Sequence, residues 1–181
     1  QILAAPEAAP QVQELISLSV AARLPGSASV GDSISSVPYS RWDLEAPRRG
    51  RFVERARFGG FIANESLFDA SLFGISRAEA DLVDPQQRLL LETTWEAIAA
   101  AGPGVCGPNT GVYVGIQQME YNGLAAPHLA TIGPFSATGS SFSVAAGRLA
   151  FTHGFHGPAM SLDTACSSAL VATHLAAAYA R

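Results

Sequence analysis

The sequence predicts a layered α/β domain with a parallel or mixed sheet. Short apolar runs of strand length alternate with segments of helical spacing, and the connections between them are rich in Gly and Pro. The chain has 181 residues, of which 48% are hydrophobic and 14% charged. This composition is typical of one well-buried domain and excludes a disordered chain. A formal net charge of −4 argues against nucleic acid as a partner.

The first 60 residues carry the weaker signals. Residues 1–13 are rich in Ala and Pro and are interpreted as a linker or arm, which assigns the domain to residues 14–181. Alternating apolar and small residues predict a first strand over residues 15–20. Residues 27–60 are predicted to be mostly loop. They contain an arginine cluster, interpreted as a solvated loop or a partner surface, that comprises Arg48, Arg49, Arg51, Arg55 and Arg57.

Two helix starts are the clearest local signals. Ser76 and Glu79 form a capping-box pattern, which predicts a short helix. Asp84 then supplies an N-cap side chain, and Pro85 supplies the fixed φ of a first helical residue. Apolar residues recur at helical spacing from there to Gly102, where Gly and Pro end the pattern. We therefore predict a long helix after Asp84.

The second half of the chain alternates strands and helices. Residues 110–116 predict a strand that is apolar enough to lie centrally in a parallel sheet. Residues 137–149 predict a helix interrupted by glycines. Residues 157–162 predict a short buried strand, and residues 170–178 predict an alanine-rich helix. Cys166 lies on the sharp turn between these last two elements.

A thiol at the start of a helix is a candidate nucleophile. It lies near unpaired backbone N–H groups and the positive end of the helix dipole, and both favour the thiolate. The same N–H groups can stabilise an oxyanion on a thioester carbonyl. The ordinary alternative for Cys166 is a small buried hydrophobic residue, because free cysteine is among the most buried residue types.

The second cysteine, Cys106, lies in a Gly- and Pro-rich loop and is interpreted as inert. Two cysteines are too few for a disulfide framework, and they lack metal-site spacing. We therefore expect a reduced, intracellular protein without a metal site, in the cytoplasm or, as the alternative, in a plastid. No apolar run approaches the ~20 residues of a membrane span.

The residues around Cys166, Asp163-Thr164-Ala165-Cys166-Ser167-Ser168, resemble the active-site signature of β-ketoacyl synthases, the condensing enzymes of fatty-acid and polyketide synthesis. Further blocks that are similar to this family are residues 23–26, 37–43, 58–62, 68–76, 84–97, 143–149 and 157–158. Together they resemble the N-terminal half of the ketosynthase domain of a type I modular polyketide synthase. The animal fatty acid synthase is a close relative and stays open as an alternative.

That resemblance implies a thiolase-like fold, with αβαβα layers built from two similar halves. It implies that Cys166 accepts an acyl group from phosphopantetheine on an acyl carrier protein, before a decarboxylative Claisen condensation with a malonyl-type extender. No directly bound cofactor is implied. The implied partners are the carrier protein, neighbouring synthase domains and a second copy of the chain, paired through the strand near residues 158–163.

The resemblance also implies two catalytic histidines and a lysine in the second half of the fold. This chain contains no Lys, and its histidines are His128, His153, His156 and His174. His174 follows Cys166 by eight residues, which is roughly 12 Å along a helix, so it is interpreted as structural. His153 and His156 are also interpreted as structural, and His128 carries no signal. The chain alone is therefore not expected to complete condensation.

The polar neighbours of Cys166 are interpreted as structural. Ser167 and Ser168 are formal alternatives as nucleophiles, but the family pattern makes them packing and turn residues. Asp163 and Thr164 are predicted to shape the turn. Three rival interpretations stay open: a truncated ketosynthase that acts as a non-catalytic dimerisation or docking module, another thiolase-fold acyltransferase, and a cysteine hydrolase.

Overall fold

The computed structural model describes residues 21–25, 32–41, 57–117, 120, 121, 123 and 135–180. The strands are β1 (Ser35–Ser36), β2 (Phe58–Gly59), β3 (Val112–Gly115) and β4 (Ala159–Leu162). The helices are α1 (Arg77–Ala80), α2 (Pro85–Ala101), α3 (Phe135–Ser140), α4 (Phe142–His153) and α5 (Ser168–Tyr179).

The chain divides into two compact units. Among the described residues, the helical unit comprises those within 21–97 and 120–140, and the sheet unit comprises those within 98–117 and 141–180. Within the described ranges, no helix has both the length and the apolar character needed to cross a membrane.

Both predicted helix starts are confirmed in the helical unit. The Oγ of Ser76 accepts a hydrogen bond from the N–H of Glu79 at 3.2 Å. The Oδ1 of Asp84 accepts a hydrogen bond from the N–H of Gln86 at 2.8 Å. These bonds satisfy N–H groups that have no intrahelical partner at a helix start. The predicted end of α2 is also confirmed, because Gly102 follows it with a φ of 88°, in the region that favours glycine.

The predicted loop over residues 27–60 contains both strands of a short antiparallel pair. β1 and β2 run antiparallel, with Ser35 opposite Gly59. Each strand has two residues, which is too short to produce an alternating pattern in the sequence. The loop prediction was therefore incomplete. The linker over residues 1–13, the strand over residues 15–20 and most of the arginine cluster lie outside the described residues.

A polar contact joins the start of α2 to α3. Asp84 and Gln87 are buried, with 4% and 2% of their surface exposed. The N–H of Asp84 donates to the carbonyl of Gly139 at 2.8 Å. A β-carbon on Gly139 would lie 2.3 Å from the carbonyl oxygen of Leu82, so only glycine fits this approach. The hydrogen bond from Asp84 to Gly139 thus holds α3 against the backbone that precedes α2.

The helix predicted over residues 137–149 is in fact two helices, α3 and α4, and the glycines do not cause the break. The chain turns at Ser141, whose φ of −72° and ψ of 122° are those of extended backbone. Gly139 and Gly147 lie inside α3 and α4, respectively. The second helix ends at Gly154, which adopts a φ of 68°.

Arg23 fastens an irregular segment of the helical unit to α2. Its guanidinium donates to both carboxylate oxygens of Glu96, at 2.7 and 2.5 Å. This paired hydrogen bond lowers the pKa of Glu96. Burial raises the pKa of Glu92, one turn earlier on the same helix.

β3 and β4 form a parallel pair in the sheet unit, with Val114 opposite Ser161. Helix α4 covers one face of this pair, where the N–H of Ala146 donates to the Oγ of Ser161 at 3.2 Å. Helix α5 covers the other face, where a β-carbon on Gly115 would lie 2.9 Å from the amide nitrogen of Ala169. Neighbouring residues of a strand point to opposite faces. The predicted α/β layering and the parallel pairing are therefore confirmed.

The core of the sheet unit lies between these helices and the two strands. Its buried apolar residues are Val114, Ile116, Ala145, Ala146, Leu149, Ala150 and Ala172. Ala159 and Met160 in β4 are exposed, whereas Ser161 and Leu162 are half-buried. The prediction of a buried strand over residues 157–162 is therefore wrong, because no residue of the strand is fully buried. Among the described residues, β4 pairs with β3 along one edge only.

Candidate active site

Cys166 lies where the chain leaves β4 and enters α5. The residue is exposed, whereas Cys106 in the Gly- and Pro-rich loop is partly buried. The interpretation of Cys166 as a small buried hydrophobic residue is therefore wrong. An exposed thiol on a strand-to-helix turn is open to an incoming substrate.

Side chains of the turn bond to its own backbone. The Oδ1 of Asp163 accepts a hydrogen bond from the N–H of Ala165 at 3.0 Å. The Oγ of Ser168 accepts one from the N–H of Thr164 at 2.8 Å and donates one to the carbonyl of Ala165 at 2.7 Å. The Oγ of Ser167 donates to the carbonyl of Thr164 at 2.8 Å. These bonds agree with the prediction that the polar neighbours of Cys166 shape the turn.

Two further backbone bonds close the turn. The N–H of Ser167 donates to the carbonyl of Thr164 at 3.4 Å, and the N–H of Ser168 donates to the carbonyl of Ala165 at 3.2 Å. The amides of residues 164, 165, 167 and 168 are thus engaged within the turn. The amide of Cys166 takes no part in these bonds. Of the five amides, it is the candidate donor to an oxyanion at this thiol.

Ala165 has a backbone conformation that the sequence did not reveal. Its φ is 55°, in the left-handed region. An L-residue other than glycine pays roughly 1–2 kcal/mol in this region, because its Cβ approaches the following carbonyl oxygen. Among the described residues, the other non-glycine residue with positive φ is Asn64, a type that tolerates this region better. Nothing in the residue type Ala signals such a turn.

Gly115, at the end of β3, lies directly against the start of α5. A β-carbon at this position would lie 2.8 Å from the carbonyl carbon of Ser168 and 3.1 Å from its Cβ. The absence of a side chain therefore allows the turn to rest on the sheet. The position of Cys166 is thus set by β4 before it, by α5 after it and by β3 beside it.

The described histidines differ in their exposure and contacts. His153 is half-buried, its ring stacks on Phe155 with centroids 5.6 Å apart, and its Nε2 finds no hydrogen-bond partner in the described part of the chain. Burial lowers its pKa. The backbone N–H of His156 donates to the carbonyl of Pro108 at 2.6 Å. His174 is exposed on α5, and His128 lies outside the described residues.

A family model described as the N-terminal domain of β-ketoacyl synthase matches residues 28–179. The mycocerosic acid synthase-like polyketide synthase of Mycolicibacterium smegmatis is 45% identical over 154 residues, which cover 80% of this chain and 7% of that protein. The phthioceranic/hydroxyphthioceranic acid synthase of Mycobacterium tuberculosis is 40% identical over 189 aligned residues, which cover 93% of this chain and 9% of that protein. The chain therefore spans less than a tenth of the length of either relative.

Two solved ketosynthases have a similar fold. The oxazolomycin ketosynthase domain of Streptomyces albus matches with a TM-score of 0.72 and 32% identity, over 89% of this chain and 31% of that one. A cysteine-to-serine mutant of the ketosynthase from module 6 of the bacillaene synthase of Bacillus subtilis matches with a TM-score of 0.71 and 31% identity, over 88% of this chain and 28% of that one.

The fold and these similarities define the class of protein as a ketosynthase-type α/β domain with the thiolase-like fold. The chain belongs to the β-ketoacyl synthase family, and it corresponds to the N-terminal part of a ketosynthase domain of a modular polyketide synthase. The resemblance found in the sequence is thereby confirmed.

Proposed function

We propose that this chain supplies the nucleophilic half of a condensing site, in which Cys166 accepts the growing acyl group. The observation that carries the proposal is the exposed thiol of Cys166 on the turn between β4 and α5, in a chain of the β-ketoacyl synthase family. The helix start behind it offers partial positive charge to a thiolate.

The first step is a thioester exchange. The thiolate of Cys166 attacks the carbonyl carbon of an acyl thioester, and the Cys166 amide donates to the oxyanion that develops there. The carbon–sulfur bond to the carrier then breaks, and the released thiolate takes up a proton from solvent. The acyl group is now held by Cys166.

The second step is a decarboxylative Claisen condensation. A malonyl-type thioester loses CO₂, and the electron pair of the broken carbon–carbon bond forms a carbanion, stabilised as an enolate. This carbanion attacks the acyl carbonyl on Cys166, a new carbon–carbon bond forms, and the Cys166 thiolate leaves. Residues that assist decarboxylation belong, in this proposal, to the other half of the fold, because this sequence contains no Lys and we interpret its described histidines as structural.

The proposed partners follow from this chemistry. The acyl groups arrive as thioesters of phosphopantetheine on an acyl carrier protein, and no directly bound cofactor is required. A second copy pairs through β4, whose residues Ala159 and Met160 are exposed. Neighbouring synthase domains supply the extender and process the product. We place the protein in the cytoplasm, or in a plastid where the source has one.

The acyl-enzyme is the species to detect. The protein as expressed from its own gene is incubated with a hexanoyl thioester of N-acetylcysteamine, a short mimic of phosphopantetheine, and digested for mass spectrometry. We expect the hexanoyl group on the peptide that contains Cys166. Cys106→Ala should retain this modification, because Cys106 lies in a separate loop, and Cys166→Ala should lose it.

The paired cysteine variants make the result decisive. Acylation that persists in Cys166→Ala, or that disappears in Cys106→Ala, contradicts the assignment. Absence of acylation in the wild-type protein removes the proposed function altogether.

A further inference from the structure

We infer that Ser168 is a positioning residue that orients the peptide group donating to the oxyanion at Cys166. This inference deepens the proposed function and rests on it. Ala165 is the strained residue of the turn. The Ser168 hydroxyl accepts a hydrogen bond from the N–H of Thr164, just before Ala165, and donates one to the carbonyl of Ala165 itself. No other side chain in the described turn bridges these two groups.

The carbonyl of Ala165 and the amide of Cys166 belong to the same planar peptide group. A hydrogen bond that fixes the direction of the Ala165 carbonyl therefore also fixes the direction of the Cys166 N–H. The Ser168 hydroxyl makes this bond at 2.7 Å, and the Ser168 N–H makes a longer one at 3.2 Å. Of the two hydrogen bonds that restrain this peptide plane, the one from the Ser168 hydroxyl is thus the shorter.

The strain at Ala165 makes these restraints necessary. A φ of 55° is unfavourable for alanine, so the peptide after it tends to rotate towards an ordinary conformation unless its neighbours hold it. Ser168 is itself immobilised, because 7% of its surface is exposed and Gly115 lies against its backbone. The buried Ser168 hydroxyl therefore holds the Ala165 carbonyl in one direction.

Two reagents separate orientation of the amide from general damage to the site. Acylation by a thioester develops an oxyanion and uses the Cys166 amide, whereas alkylation by iodoacetamide displaces iodide and develops none. We expect Ser168→Ala to lower the rate of Cys166 acylation about tenfold, which is less than the loss seen when an oxyanion donor is deleted outright. The rate of Cys166 alkylation should stay within about twofold of wild type.

Two further variants control this comparison. Ser168→Thr keeps the hydroxyl and should keep the acylation-to-alkylation ratio near the wild-type value. Thr173→Ala also removes a hydroxyl that bonds a carbonyl of α5, since the Thr173 hydroxyl donates to the carbonyl of Ala169 at 2.8 Å. Thr173 lies about two helical turns beyond Cys166, so this substitution should leave the acylation-to-alkylation ratio unchanged.

The outcomes are distinct. A ratio that falls in Ser168→Ala and recovers in Ser168→Thr supports the inference. Equal losses in both rates mean that Ser168 only stabilises the fold, and unchanged rates mean that it positions nothing; either overturns the inference. Rates are measured on the protein as expressed from its own gene. If wild-type Cys166 is not acylated at all, the proposed function fails and the inference falls with it.

Discussion

Ala165 adopts an unfavourable backbone conformation directly before the thiol. Its N–H donates a hydrogen bond to the Oδ1 of Asp163, its carbonyl accepts one from the Ser168 hydroxyl, and these two bonds hold it there. Strained residues persist only where their surroundings over-determine them, and they concentrate at functional sites. The hydrogen bonds of Asp163 and Ser168 thus have a role in the geometry of the turn.

This arrangement was only partly predictable from the sequence. Cys166 and its turn could be located because the strand, the small residues and the helix are contiguous in the chain. The left-handed conformation of Ala165 could not be predicted, because it is imposed by the Ser168 hydroxyl three residues later and by the packing of Gly115 from another strand. Such contacts exist only once the elements have assembled.

His153 gives a prediction about pH. Its Nε2 is buried without a partner in the described part of the chain, and burial lowers its pKa from the usual 6.5. The unfolded state then binds a proton at a higher pH than the folded state, so stability falls as the pH drops below about 6.5. We expect His153→Phe, which can keep the stacking on Phe155, to reduce this loss by about 2 °C or more in melting temperature between about pH 8 and pH 5.

His174→Gln is the matched control. His174 is exposed on α5, so its removal should leave the pH dependence of the melting temperature as it is in the wild type. An unchanged slope in His153→Phe would mean that this ring is protonated in the folded state as easily as in the unfolded chain.

The helices differ in whether residues next to them in the sequence determine where they begin and end. α1 and α2 begin at capping residues, Ser76 and Asp84, that bond N–H groups two or three residues away. Such signals are present in the sequence, and both starts were predicted correctly. The break between α3 and α4 lies instead at Ser141, which has extended backbone and makes no side-chain capping hydrogen bond. Without such a local signal, the sequence predicts the interruption at the glycines and misses Ser141.

Two helical glycines test whether the close approach of Gly139 to Leu82 holds α3 in place. A β-carbon on Gly139 would clash with the Leu82 carbonyl, whereas one on Gly147 in α4 would meet no atom within 4 Å. Alanine gains the same intrinsic helix propensity at both sites. We expect Gly139→Ala to destabilise the protein by about 1–3 kcal/mol through overpacking, and Gly147→Ala to stabilise it by about 0.5–1 kcal/mol.

Urea unfolding monitored by circular dichroism measures both free energies. The comparison removes the general effect of replacing glycine by alanine, because both residues lie inside helices. Equal effects of the two substitutions would show that the approach of Gly139 to Leu82 does not hold α3 in place.

Large apolar side chains of the sheet unit lie on its surface. Phe151 is 90% exposed and Leu170 is 76% exposed, and Met160 in β4 is 39% exposed. A sequence analysis that ranks residues by hydrophobicity places such side chains in a core, which is why β4 was predicted to be buried. Exposed apolar surface of this kind is typical of a contact region. In the proposed function, the part of this surface on β4 pairs with a second copy of the chain.

The edge of β4 is the part of this surface with the clearest pairing geometry. The N–H of Val112 donates to the carbonyl of Pro158, and the N–H of Ile116 donates to the carbonyl of Leu162. In a parallel pair, alternate residues face the partner strand, so the backbone groups of Ala159 and Ser161 point to the opposite edge. In the part of the chain that the structure describes, no strand pairs with that edge, and the proposed function assigns it to the same strand of a second copy.

Met160→Glu tests the pairing. Met160 is partly exposed in the single chain, so the substitution leaves the fold of one copy intact, but two copies paired through β4 bring their carboxylates close together in a desolvated interface. We expect the dimer dissociation constant, measured by sedimentation velocity, to rise at least about tenfold, which corresponds to about 1.4 kcal/mol. Ala99→Glu, at an exposed position of α2, adds the same charge and should leave the constant unchanged. A wild-type protein that sediments as a monomer would contradict the pairing altogether. A dimer that both substitutions weaken equally would place the contact surface away from β4.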